Sequence, residues 1–103
     1  MVHVGLLVKL EAKPGKVEEL QKFLEGALPL ANAEEKALVW FALRLGESTF
    51  GIFDAFEDDT GRQEHLRGEI ATALMGRADE LLASPPQIEH VDVLAAKVDA
   101  RSK

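Results

Sequence analysis

The chain of 103 residues has no cysteine, no tyrosine and a single tryptophan, Trp40. Without cysteine it forms no disulfide, offers no thiolate to a metal and has no Cys nucleophile. Basic residues are also short, with 12 Lys and Arg against 18 Asp and Glu, a formal net charge of −6. That balance gives no electrostatic footprint for nucleic acid and disfavours an anionic lipid surface. No apolar run is long enough to span a bilayer, and the opening MVHVGLLVKL lacks a basic leading region and a small-residue cleavage site. The expectation is a soluble, cytoplasmic protein with no nucleic-acid and no membrane partner. The glycines are scattered and form no phosphate-binding loop. His3, His65 and His90 fall on separate elements without ligand spacing, and no Ser-His-Asp constellation is visible. No metal, flavin or haem is expected.

What is present is a globular composition, 47% hydrophobic and 29% charged. It suits one domain over residues 1–103, with 99–103 a polar tail that frays. Over residues 2–10 the even positions Val2, Val4, Leu6, Val8 and Leu10 are all apolar, the alternation of a strand. Pro14 and Gly15 turn the chain. Val17, Leu20, Phe23, Leu24, Ala27, Leu28 and Ala31 then repeat at helical spacing, and Pro29 should kink or end the last turns. Residues 32–36 read as a polar connection.

A second strand spans 38–45, with Val39, Phe41, Leu43 and Leu45 on one face and Leu38, Trp40, Ala42 and Arg44 on the other. Gly46, Glu47 and Ser48 link it as a hairpin to a third strand. After a helix opening near Thr60, with Gly68 and Gly76 as its weak points, Pro85 and Pro86 stop the chain before a last strand over 87–98. The order β-α-β-β-α-β is the ferredoxin-like α+β arrangement, one antiparallel sheet with both helices on one face.

The stretch TFGIFDAFEDDTGRQEHL carries most of the chemistry. Phe50, Ile52, Asp54 and Phe56 share one face of the third strand, so Asp54 is a carboxylate among apolar neighbours that needs a partner. Arg44, one strand over, is a candidate, in which case Asp54 is structural. Thr60 and Gln63 have capping-box spacing. His65, read as early in the following helix, lies where the dipole favours a neutral imidazole and a proton acceptor; the alternative is an exposed helix histidine. Trp40 either walls an aromatic-binding pocket with Phe50 or Phe56, or fills an interface between subunits.

The same stretch, with ALVWFALRL before it, resembles the antibiotic biosynthesis monooxygenase family of the dimeric α+β barrel superfamily. In that family a strand with an acidic residue and an aromatic two apart leads into a helix with an early His. Here those positions are Asp54, Phe56 and His65. The resemblance implies a barrel closed by two subunits and a pocket between sheet and helices. It also implies cofactor-independent oxidation of an electron-rich phenol or quinol by O₂. A haem-degrading branch uses an Asn on the first strand, then a Trp and a His in the second helix. This chain has no Asn in its first strand, His65 in place of that Trp and Met75 in place of that His. The tyrosines that quinol-oxidising relatives use are absent as well.

Three readings of function follow. The first is a monooxygenase of a small aromatic, with Asp54 and His65 catalytic and Trp40, Arg44, Phe50 and Phe56 binding substrate. The second is a binding protein for an aromatic metabolite, and the third a lactone isomerase or decarboxylase using the same pocket for proton transfer. A homodimer is expected from the residues alone. If the helices cover the uniformly apolar faces, then Leu7, Leu38, Trp40, Phe50, Ile52 and Phe56 stay on the other face. Leaving them wet would forfeit on the order of 10 kcal/mol, comparable with a domain's whole stability of about 5–15 kcal/mol.

Overall fold

The computed structural model describes residues 1–98; the tail expected over 99–103 lies outside the described residues. The elements are β1 (Val4–Glu11), α1 (Val17–Gly26), α2 (Leu28–Ala33), β2 (Val39–Arg44), β3 (Thr49–Phe56), α3 (Asp59–Leu66), α4 (Glu69–Leu81) and β4 (Gln87–Asp92). The four strands form one antiparallel sheet in the order β2-β3-β1-β4. This is the ferredoxin-like α+β fold, with each of its two helical segments broken in two.

Both breaks have local causes. Pro29 has no N–H to give and its ring crowds the turn before it, so the first helix ends at Gly26 and Pro29 sits in the first turn of α2, where neither matters. The second break falls at Gly68, which becomes the N-cap of α4, while its N–H closes α3 on the His65 carbonyl at 3.0 Å. Gly76 stays inside α4, since one glycine costs a helix only about 1 kcal/mol. The Thr60–Gln63 capping box is not used. Asp58 caps α3 instead, accepting from the Gly61 N–H at 3.1 Å, so the helix starts earlier than its sequence spacing suggested.

In every ladder the paired residues have the same parity: Leu6 with Asp54, Leu6 with His90, Trp40 with Asp54. Even-numbered strand residues therefore share one face, and it is the helix face. Val8, Leu10, Phe50 and Ile52 are buried there with Leu20, Leu24, Leu74 and Leu81, and Leu6 and Phe56 on the same face are buried too. This corrects the expected faces. Trp40, Phe50, Ile52 and Phe56 lie under the helices. The open face carries Leu7, Val39, Phe41, Leu43, Phe53 and Val91, with Phe41 54% exposed. Taking the uniformly apolar side of each strand separately failed for β2 and for β3, because ladder pairing ties the facing of each strand to that of its neighbour.

β4 ends at Asp92, opposite Val4, where β1 runs out. Residues 93–98 do not continue the strand as expected. Val93 and residues 95–98 line a cavity of about 450 Å³ on the open face together with Val2, Val39, Phe41, Phe53 and Ala55. No helix among the described residues is long and apolar enough to cross a membrane.

Candidate functional site

Asp54 is fully buried on the central strand β3, facing the helices. His65 reaches it from the last turn of α3, with Nε2 2.8 Å from Asp54 Oδ2. The two groups stand at ion-pair distance, with no hydrogen bond formed to either carboxylate oxygen of Asp54. On the other side of the ring, Nδ1 lies 2.5 Å from Glu34 Oε1. Glu34 is the C-cap of α2, in extended backbone, and its N–H is tied to the Ala31 carbonyl at 3.1 Å. The Phe56 ring packs against the imidazole at 5.4 Å between centroids. The result is a carboxylate–imidazole–carboxylate array joining β3, α3 and the end of α2.

Burial by itself pushes an imidazolium toward the neutral form. Asp54 first and Glu34 second outweigh that penalty, and the His65 pKa is raised to about 9. This reverses the expectation of a neutral imidazole. The helix in which His65 was expected to sit early ends one residue later at Leu66, so the imidazole lies in the last turn of α3, near the negative end of its dipole, which favours the cation.

Glycines make the array possible. A Cβ on Gly61 would stand 3.2 Å from Lys36 Cβ, and one on Gly68 would stand 3.2 Å from Glu34 Oε2. Gly61, His65 and Gly68 therefore form a bare strip along which residues 34–37 run close to α3. A second tie, Lys36 Nζ to Glu64 Oε2 at 3.0 Å, crosses the same seam. Here lies a cavity of about 470 Å³, lined by His65 and Glu34 with Leu30, Lys36, Glu64 and Glu69 among others.

The expected aromatic wall is not at this cavity: none of Trp40, Arg44, Phe50 and Phe56 lines it. Trp40 is directly across the ladder from Asp54, with Nε1 buried. Phe56 touches His65 from within the core. Arg44 is not the partner of Asp54. It pairs with Phe50, four residues before Asp54 on β3, and its guanidinium sits 5.2 Å above the Phe50 ring. There it donates to Gln21 Oε1 at 2.9 Å and to the Gly46 and Glu47 carbonyls. The residue that sequence reasoning missed is Glu34. It sits in a connection of ordinary polar composition, and no periodicity or motif marks it. Among the described residues no group of three or more His, Cys, Asp or Glu is arranged to hold a metal ion.

No family model and no curated protein matches the chain. Among solved structures, a protein of unknown function from Nitrosomonas europaea is 59% identical over 97% of this chain and 97% of its own, with a TM-score of 0.95. A provisionally assigned antibiotic biosynthesis monooxygenase from Caulobacter crescentus is 21% identical over 91% of this chain and 92% of its own, with a TM-score of 0.76. A second protein with that provisional assignment, from Nitrosomonas europaea, is 13% identical over 89% and 90%, with a TM-score of 0.80.

Proposed function

We propose that this chain, which belongs to the same family as the Nitrosomonas europaea protein of unknown function and has the fold of the antibiotic biosynthesis monooxygenases, is a cofactor-independent oxygenase of a small electron-rich phenol or quinol. The observation that carries the reading is the Asp54–His65–Glu34 array at the wall of the 470 Å³ cavity. Both ring nitrogens of His65 are engaged, so the group left to meet a ligand is Glu34, whose side chain is partly exposed and whose Oε2 is buried without a hydrogen-bond partner among the described residues. Glu34 takes the phenolic proton. His65 holds Glu34 in place, its positive charge steadies the phenolate, and buried Asp54 holds His65. The anion then passes an electron to O₂. Over the whole reaction the substrate supplies four electrons, one oxygen atom enters the product, and the other leaves with two substrate hydrogens as water.

Oxygen uptake by the purified protein with a panel of hydroquinones and phenols tests this reading. Saturable uptake is expected, lost in Glu34→Gln. One observation favours a second reading: the cavity lining is rich in carboxylates and has no Phe, Tyr or Trp ring. Proton transfer without O₂, as in an isomerase or decarboxylase, needs the same base and less aromatic wall. Ligand-dependent exchange of substrate hydrogen with D₂O, without oxygen uptake, would select it. Thermal stabilisation by the same phenols with neither activity would mark a binding protein.

The reading includes a homodimer closed through the open sheet face. Its support is the apolar surface of Leu7, Val39, Phe41, Leu43, Phe53 and Val91, which a second copy would cover. Equilibrium sedimentation at low micromolar concentration should return about twice the chain mass, and a stable monomer would refute it.

A further inference from the structure

Among the described residues, the buried side-chain polar atoms without a hydrogen bond are Glu34 Oε2, Trp40 Nε1 and both carboxylate oxygens of Asp54. They cluster at one place. Glu34 and Asp54 flank the His65 ring, and Trp40 is the ladder partner of Asp54. Such atoms are rare in folded interiors, because a buried donor or acceptor that finds no partner has lost its hydration for nothing. Trp40 and Asp54 are complementary: the indole N–H only donates and a carboxylate only accepts. They share the helix face, where directly opposed side chains start about 4.5–5.5 Å apart at Cβ. No direct hydrogen bond joins them.

We infer that Trp40 and Asp54 bind one buried water, which accepts from the indole Nε1–H and donates to the Asp54 carboxylate. Two hydrogen bonds of ordinary length through one oxygen link polar atoms about 4.5–5 Å apart. One donor and two acceptor oxygens also supply the two to four partners that hold an internal water. The site lies at a seam in the core. Trp40 packs both against the larger apolar cluster and against the smaller one formed by Ala27, Ala31 and Ile70, so its indole N–H lies where the two meet. The water gives Asp54 a second partner beside His65 Nε2 and fixes the direction in which the carboxylate faces. Trp40 is thus a positioning residue for the array, acting through the water rather than as a wall of the ligand cavity. None of this depends on which reaction the protein performs.

A crystal structure of the unliganded protein, at a resolution that resolves ordered water, should show a density peak within hydrogen-bond distance of Trp40 Nε1 and of one Asp54 oxygen. In solution, the Trp40 indole proton should show an NOE to a long-lived water. Trp40→Phe keeps a ring and removes the donor. In that variant the peak should vanish and His65, followed by NMR, should titrate at higher pH, because Asp54 then relies on the imidazolium alone. A role in packing only would leave that titration where it is. Absence of the peak in the parent protein, an indole bonded directly to the carboxylate, or a peak and titration unchanged in Trp40→Phe would each overturn the inference. Should the variant not fold, the density and the NOE in the parent protein decide.

Discussion

Glu34 and His65 are 31 residues apart in the chain, yet the Glu34 carboxylate lies 2.5 Å from the imidazole. That contact fastens the end of α2 to the end of α3. It also makes Glu34 the outward member of a chain of groups whose inner end is Asp54. If the site transfers protons, the chemistry meets the ligand at Glu34, and the two residues picked out by the sequence stand behind it.

Substitutions should grade accordingly. If oxygen uptake is found, Glu34→Gln removes the base and should slow turnover roughly a hundredfold. His65→Ala and Asp54→Asn should slow it to a similar degree. The three effects should fall well short of adding in the triple variant, because the groups act as a unit. Steady-state kinetics on the singles and the triple decide; strictly multiplicative losses would mean that the residues act separately.

Stability should depend on alkaline pH. Folding raises the His65 pKa from the ordinary 6.5 to about 9 through Asp54 and Glu34, against the burial penalty. The folded state therefore holds a proton that the unfolded chain gives up first. The contribution is fully present below about pH 6.5 and is lost as pH rises through about 9. It amounts to on the order of 2–3 kcal/mol once screening at the partly open Glu34 end is allowed for. Urea denaturation from pH 6 to 10 should show that loss in the parent protein, and a flatter profile in His65→Gln.

Gly68→Ala should loosen the array from outside it. The added methyl would stand 3.2 Å from Glu34 Oε2 and 3.2 Å from the His65 carbonyl. The carboxylate can swing away and the carbonyl cannot, so Glu34 should give up part of its hold on His65. The expected results are a lower His65 pKa by NMR and a loss of roughly 1 kcal/mol in stability. Gly76→Ala is the control. Its methyl meets nothing within 4 Å, and it should leave the protein unchanged or slightly more stable.

Phe41→Glu tests the open face. Phe41 is 54% exposed on β2, so within one chain the change should cost well under 1 kcal/mol. Across a two-fold interface it would set charge against an apolar surface on both sides. Sedimentation should show the proposed dimer of the parent protein weakened by at least tenfold, with the circular dichroism spectrum retained. An unaltered dimer would place the interface elsewhere.

Much of this protein is written in short-range pattern. Alternation along β1 and β3, helical spacing around Leu20 and Leu24, and the punctuation at Pro29, Gly68 and Pro85 specify the elements and their order. Each is a signal carried by neighbouring residues. The odd carboxylate of Asp54 among apolar positions, and His65 shortly after it, are legible for the same reason: a strand alternates with a period of two, and a polar residue on its buried face stands out. What the chain order does not carry is which partner each side chain meets. Arg44 and His65 are both plausible for Asp54 by sequence. The register of β2 on β3 decides between them, setting Trp40 opposite Asp54 and leaving Arg44 beside Phe50. The charge of His65 turned on Asp54 and Glu34, which the fold sets on either side of its ring. Glu34 joined the site only because α2 ends where it does and because Gly61 and Gly68 leave a bare strip for residues 34–37 to run against. Local propensity determined the elements; facing, pairing and the protonation of the imidazole were decided by contacts between residues far apart in the chain, which only the folded sheet and its helices bring together.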